Sequence, residues 1–478
     1  MLRIVSIVIA FLGWAAALWA QPDPPTRWTR ISGGDSTEEA RSIVQTADNG
    51  YAVAGFTASA GAGGTDFHLV RLDSLGRVTW SRNYGGTGDD YAAVVRVAID
   101  GGLVMAGSGH IASDTITHGY LVKTSAAGVT SWSRLFTGTS SEALLDMQLL
   151  SGGGMIMTGW SISAGNRRVL LRRTDDQGNQ TWSRTISRSD SDAGCSVQQI
   201  PEGFILAGQT RMSNRDLYLI KTNAQGTNLW TRVIGGGGDE TACVVRADSG
   251  RGYWIAGSRS ASLAENIRPW LMRTNAEGYL QWSRVYGDSW LSGSFFALEV
   301  LPGGDLVASG ELDNHFYLVR LDSAGGVRWE QAYDETGSRT GAALSMKPTR
   351  DGGYVMAGYT SGVGAQQFDF YMMKTGRDDY SAAAEPRWTA LPESPRLTAY
   401  PNPFNPSVML RFTLERAAHV ELAVFDLTGR QLAVLARGMR ERGEQSVVWN
   451  AGALPSGLYL ARLHADDRTT TQKLLLLK

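Results

Sequence analysis

The chain has 478 residues, 43% of them hydrophobic and 19% charged, and its 45 Lys+Arg nearly cancel its 46 Asp+Glu. That balance excludes an intrinsically disordered polymer and leaves no basic excess for nucleic acid or anionic lipid. Glycine is the outlier: 57 Gly against 14 Pro with no G-X-Y period excludes collagen and points to many short strands joined by tight turns.

At the start, Met1-Leu2-Arg3 places a small positive charge ahead of the apolar run 4–17, which passes through Leu18-Trp19-Ala20 into the polar Gln21-Pro22-Asp23. This reads as a secretory signal peptide over 1–20, cut near Ala20. An uncleaved anchor is the alternative, because Leu18 is large for its place and the run is nearly long enough to span. No later segment is comparably apolar, so the mature chain is expected to carry no transmembrane span.

Self-similarity then dominates. Trp28, Trp80, Trp132, Trp182, Trp230, Trp282 and Trp329 recur at spacings of 52, 52, 50, 48, 52 and 47 residues, a propeller-sized period. A glycine stands four residues before the tryptophan (Gly76, Gly128, Gly178, Gly226, Gly278, Gly325), and a basic residue nine before it (Arg71, Lys123, Arg173, Lys221, Arg273, Arg320). Each unit divides into four strands, in the first unit over 40–46, 51–57, 66–73 and 78–84, with Asp48-Asn49-Gly50 turning between the first two. The second strand ends on Gly55, Gly107, Gly159, Gly208, Gly257, Gly310 or Gly358. The third is continuously apolar, as at Tyr218-Leu219-Ile220 and Tyr317-Leu318-Val319, so both its faces must be covered, as in a blade stacked between two neighbours.

Strand three occurs seven times, but no tryptophan follows the last copy, which leaves Trp28 unpaired at the other end. The expectation is an all-β, seven-bladed β-propeller over 21–375, with the N-terminal strand at Trp28 completing the last blade and removing the open sheet edge. Eight blades is the alternative if Trp388 begins a partial unit. Cys195 and Cys243 are too few for a disulfide scaffold, and at equivalent places in adjacent blades they point the same way around the ring; two buried, unpaired small residues are expected.

The units, for example Trp80-Ser81-Arg82-Asn83-Tyr84-Gly85-Gly86, Asp351-Gly352-Gly353-Tyr354 and Tyr218-Leu219-Ile220-Lys221-Thr222-Asn223, resemble the repeats of secreted bacterial and archaeal surface propellers. The stretch from Asp73 to Trp80 also looks like the tryptophan-docking repeat of quinoprotein propellers, but it is one residue shorter and lacks the threonine before the glycine.

The repeat dissolves over 376–398 into a Ser/Ala/Pro-rich linker, and a new domain follows over 399–478. Alternating apolar residues in 408–414, 419–426, 431–436, 445–449, 457–464 and 470–477 predict a small Ig-like β-sandwich. Tyr400-Pro401-Asn402-Pro403-Phe404-Asn405-Pro406, the loop through Gly429, Leu454-Pro455-Ser456-Gly457-Leu458-Tyr459 and the Lys473–Lys478 terminus closely resemble the type A sorting domain of type IX secretion cargo. The resemblance implies Sec export, passage through an outer-membrane translocon that reads this domain, and delivery to the cell surface. The alternatives are a permanent structural cap and the related fold of flagellar hook-capping proteins.

Catalytic motifs do not emerge: there is no His-Glu-x-x-His, Gly-x-Ser-x-Gly, Walker loop or Cys-x-x-Cys. Asp73, Gly76, Thr79 and Trp80 imitate a sialidase Asp box, but the glycine is one residue out of place. His68, His110, His118, His315, His419 and His464 occupy unrelated repeat positions and read as packing or surface residues. An acidic residue does recur ten after the tryptophan, at Glu38, Asp90, Glu142, Asp192 and Glu240, interrupted by Ser292 and Arg339. Pairing with the basic residues of strand three in interblade salt bridges is the expected role, with an electronegative channel mouth as the functional alternative. No cofactor is expected; calcium is the one candidate, through the loops 85–90 and 235–240, which lack a complete calcium-loop pattern. The expected function is a non-catalytic, secreted or surface-displayed propeller that binds an extracellular polymer, glycan or protein. The rivals are an exported hydrolase or lyase built on the non-repeating loops 108–117, 261–268 or 361–367, and a structural adhesion or surface-layer component.

Overall fold

The computed structural model describes residues 24–378 and 397–477, apart from 112–114, 212, 249–250, 263–264, 334–339, 362–366, 401, 415–417, 427–428, 442 and 466–467. The expected signal peptide, most of the expected linker and Arg339 lie outside the described residues. The chain divides after Tyr380 into two units.

In the first unit β1 (Thr26–Ser32) stands apart from the blade that follows it, which is β2 (Glu38–Gln45), β3 (Tyr51–Thr57), β4 (Asp66–Leu72) and β5 (Val78–Tyr84), paired in that order. Asn49 (φ 64°) closes the first turn, and Gly76 (φ 75°) supplies the left-handed residue of the third. The same four-strand order repeats until seven four-stranded sheets are complete, all antiparallel. Each innermost strand neighbours the next, and the innermost strand of the seventh sheet, Gly341–Pro348, neighbours β2, so the ring is closed. Closure comes from β1, which takes the outer place of the seventh sheet with Trp28 opposite Lys374 and Ser32 opposite Phe370.

Burial explains the continuous apolar strands. Every residue of β3 is buried, and so is all of β4 except His68. Leu69 and Phe67 pack toward the second blade, while Val70 and Leu72 pack toward Val355 and Met372 of the seventh. Full burial of each such side chain contributes roughly 1.5–3 kcal/mol, which holds the blades together without disulfides.

The tryptophan and glycine periods prove to be one contact between neighbouring blades. A Cβ on Gly76, Gly128, Gly178, Gly226, Gly278 or Gly325 would stand 2.5–2.7 Å from the tryptophan of the preceding blade, Trp28, Trp80, Trp132, Trp182, Trp230 or Trp282 respectively. Glycine is required there both for the approach of the indole and for its positive φ. The arginine two residues later lies over the same ring, from 5.0 Å for Arg232 to 5.8 Å for Arg82, adding about 0.5–1 kcal/mol per exposed pair. Trp329 has no such glycine, because the seventh blade borrows β1 and lacks that turn. Asp378 takes its place: its carboxylate accepts from Trp329 Nε1 (3.3 Å), Arg320 (2.8 Å) and the Tyr354 hydroxyl (2.5 Å). Residues 376–378 therefore pack as part of the propeller unit, although their composition reads as linker.

The second unit is a two-sheet sandwich. One sheet orders Leu397–Tyr400, Ser407–Leu414 and Gly443–Asn450; the other orders Gln431–Arg440, Ala418–Phe425, Gly457–Ala465 and Arg468–Leu476. Phe404, Leu410, Phe412, Trp449, Leu463 and Leu474 are buried between them. The sequence pattern did not mark 397–400 as a strand; four residues are too few to show a period.

Candidate functional site

Strand direction decides what the recurring charges do. First and third strands of a blade run the same way, so the acidic residue opening strand one and the basic residue five positions into strand three lie at opposite ends of the sheet. The expected ring of interblade salt bridges between them is not formed. Instead the basic residue pairs within its own blade with the turn between strands one and two: Arg71 with Asp48 (2.6 Å), Lys123 with Asp100 (2.5 Å), Arg273 with Asp248 (2.6 Å), Arg320 with Asp305 (3.0 Å) and Lys374 with Asp351 (2.9 Å).

The acidic series turns inward. Glu38, Asp90, Asp192 and Glu240 are at most 2% exposed, and none lines the central channel. Each accepts a hydrogen bond from the backbone N–H four residues earlier: Gly34 to Glu38 (2.9 Å), Gly86 to Asp90 (2.8 Å), Arg188 to Asp192 (2.6 Å) and Gly236 to Glu240 (3.2 Å). They brace the loop that enters each blade. Glu142 differs, bridging to Arg172 (2.6 Å). Burial, with Asp66 nearby, pushes the Asp90 carboxyl up to about 6 against the pull of the Gly86 N–H. Glu240 is raised for the same reason, with Asp216 beside it.

The channel itself is built from a feature that the sequence analysis missed. All seven innermost strands carry a β-bulge, at Arg41, Ala93, Leu145, Cys195, Cys243, Phe296 and Leu344. These seven residues ring a cavity of about 240 Å³. The signal was present in the strand-two glycine, which lies inside the strand and does not end it as expected, because the strand pairs on past the bulge: a Cβ on Gly55, Gly107, Gly159, Gly208, Gly257, Gly310 or Gly358 would lie only 1.7–2.0 Å from a carbonyl oxygen of the bulged strand. Cys195 and Cys243 are free and half-buried on this wall, with burial pushing the thiols to about 11 and about 12.

Three residues beyond the bulge comes a second ring, polar in every blade but the first: Val44, Arg96, Gln148, Gln198, Arg246, Glu299 and Lys347. Gln148 and Gln198 use their Oε1 atoms to accept from Gln199 N (2.5 Å) and Ala247 N (2.7 Å) of the next blade, satisfying the edge of an otherwise unpaired strand. Arg96 pairs with Asp146 (2.9 Å), Arg246 with Glu299 (3.0 Å), and Lys347 shares Glu299. Burial alone would raise the Glu299 carboxyl; Arg246 and Lys347 override it and hold it at about 2.

The two ends of the ring differ. At one end the turns are all short, five residues in most blades as at 46–50 and 73–77 and two at 201–202. At the other, the connections between strands two and three range from two residues at 164–165 and 313–314 to eight at 58–65 and 260–267. The histidines are not brought together: His68 bonds Asn83 (2.6 Å), His110 bonds Asp89 O (2.8 Å) and Thr117 (3.0 Å), and His464 bonds Thr469 (2.7 Å). Among the described residues no three ligating side chains converge on a metal-sized space, and no helix is long and apolar enough to cross a membrane.

In the sandwich the motif residues pin the last strand. Asn402 accepts from Leu475 N (2.7 Å) and donates to Lys473 O (2.8 Å), while Phe404 exchanges backbone bonds with Leu475 O (2.9 Å) and Leu477 N (3.0 Å). Phe404 packs on Trp449, which meets Tyr459, whose hydroxyl donates to Pro455 O (2.7 Å). Gly429 turns with φ 86°, Gly457 opens the penultimate strand, and Lys473 is exposed.

The two units define a propeller joined to a small sandwich that closes on its own C-terminal strand. Residues 398–477 match the secretion system C-terminal sorting domain family. The sandwich is therefore a sorting tail, and the chain is a propeller cargo of the type IX secretion system, exported to the cell surface or beyond. No curated protein matches the chain. It is similar to the solved structure of PorZ, an essential bacterial surface component of the type-IX secretion system of Porphyromonas gingivalis (10% identity, TM-score 0.36, 88% of this chain and 65% of that one). It is also similar to the β-propeller domain of the Trilobed protease from Pyrococcus furiosus (9% identity, TM-score 0.39, 77% and 99%) and to Drosophila Plexin A in complex with Semaphorin 1b (7% identity, TM-score 0.45, 75% and 88%). The chain thus spans just under two thirds of the PorZ chain.

Proposed function

We propose that the propeller is a non-catalytic binding module, displayed outside the cell by its sorting tail, that holds an extracellular polymer, glycan or protein on the face carrying the long connections between strands two and three. The observation that supports this is the contrast between the two ends of the ring. A scaffold alone gains nothing from departing from its repeat at one end only, and loops on a rigid frame are where recognition residues are placed. Among the described residues, the recurring titratable groups are tied into backbone and turn contacts and His68 and His110 are held by separate partners, which supports a binding role.

The test is a glycan array and surface-protein capture with the full chain and with a variant whose 58–65 and 260–267 connections are replaced by the two-residue turn Ala164-Gly165. Retained melting temperature with lost binding is the expected result. Binding indifferent to both replacements, or turnover of the captured molecule, would overturn the reading.

A further inference from the structure

We propose that the central channel is a binding site for one small oxyanion, a molecule bearing a carboxylate or phosphate group, held by Arg96, Arg246 and Lys347. The ligand is distinct in size from anything bound by the loop face, and the inference does not depend on that reading.

The first support is that the repeat does not call for these cations. Equivalent positions in the other four blades are Val44, Gln148, Gln198 and Glu299; both glutamines accept a backbone N–H of the next blade, and Glu299 is the acceptor for Arg246 and Lys347. Arginine and lysine have no acceptor atom and cannot do that work. In three non-adjacent blades, the second, fifth and seventh, the structural residue is replaced by one that can only donate, and all three line the same cavity.

The second is charge balance. Arg41, the remaining cation of the wall, has its own carboxylate in Glu39 (2.9 Å) and lies over Phe56 (5.3 Å). Arg96 has Asp146, but Arg246 and Lys347 divide the single carboxylate of Glu299. Three cations therefore face two carboxylates on a half-buried wall, leaving one positive charge that a bound anion would balance. The groups feel one another across the channel: burial, with Arg246 and Arg96 nearby, lowers the Lys347 ammonium despite Glu299, and burial with Arg246 nearby lowers Arg96 despite Asp146.

Volume sets the ligand class. A cavity of about 240 Å³ exceeds what a single bound water needs and admits inorganic phosphate or a short dicarboxylate between the three cations.

Isothermal titration of the full chain at low ionic strength with inorganic phosphate, and separately with succinate, tests the site. The expected result is one saturable site for at least one of them, weakened about tenfold or more in Lys347→Met and Arg96→Gln, since each removes a charge-assisted contact. Glu299→Gln should strengthen binding several-fold, because it frees both Arg246 and Lys347; a merely structural ion pair would not produce a gain. Saturation by succinate alone assigns a carboxylate ligand, and by phosphate alone a phosphate ligand. Shortening 58–65 should leave the affinity unchanged, which separates this site from the loop face. Melting curves on the same samples report folding, and if the cation variants do not fold, the Glu299→Gln gain decides. No saturable binding of either anion, or an affinity that the folded variants do not move, would overturn the inference.

Discussion

Asp90→Asn should stabilise the propeller at alkaline pH and do nothing at acid pH. Asp90 is 2% exposed, and its Oδ2 and the Oδ1 of Asp66 stand 2.4 and 2.3 Å from the point where a Cβ on Gly85 would be, so the two carboxylates are close neighbours. Burial, with that neighbour, lifts Asp90 from 3.8 to about 6. Below the ordinary value both folded and unfolded chains hold the proton, and the effect vanishes. Between the two values the folded chain keeps a proton that the unfolded chain releases, so stability falls as pH rises. Above about 6 the penalty is complete: about two units at about 1.36 kcal/mol each, or ~3 kcal/mol. With about 2.1 cal/mol/K per residue over roughly 350 residues, that is ~4 °C in melting temperature. Asparagine removes the charge and keeps an acceptor for Gly86 N–H, but its single oxygen cannot also serve the His110 backbone N–H, so the gain of ~3 kcal/mol is an upper bound. In scanning calorimetry of the full chain, the propeller transition of Asp90→Asn should lie up to about 4 °C above wild type at pH 8, with the gap narrowing as pH falls and closing about one unit below the ordinary value of 3.8. A variant less stable at pH 8, or a gap that does not change with pH, would refute the reasoning.

Other consequences can be measured on the same protein. Gly159→Ala would put a Cβ 1.9 Å from Ala143 O, so the bulge must open; a loss of at least about 2 kcal/mol is expected in denaturant melts, against almost none for an exposed Ser→Ala control. Asn402→Ala removes two bonds to the last strand and should cost the sandwich about 1–3 kcal/mol while leaving the propeller transition in place. Removal of 381–478 should leave a folded propeller in the periplasm, detected by fractionation; surface delivery of that truncation would contradict the role of the sorting tail.

The fold was open to reading because a repeat multiplies weak signals. One tryptophan with a glycine four residues before it means little, but six such pairs at fixed offset point to one unit repeated around a ring, in which each glycine meets the tryptophan of the preceding blade, and the unpaired Trp28 required closure by β1. The tail was legible through its motif, and the hydrogen bonds of Asn402 show why the motif must be kept. The site was less legible. The acidic residues looked functional because they recur, yet recurrence in a propeller marks what every blade needs, and here that is a brace for the entering loop. Strand direction, available from the parsing of the blade, already separates Arg71 from Glu38 by the length of a sheet.

Period, blade order and export address are local properties, carried by residues within about fifty positions of one another, and the sequence alone determined them. The channel was decided only by tertiary structure. Its wall takes two to four residues from each of seven strands spread over some three hundred positions, and Arg96, Arg246 and Lys347 become neighbours only when the ring closes. No periodicity could reveal them, because they are where the repeat departs from itself, and a departure has meaning only beside the other departures it meets in space.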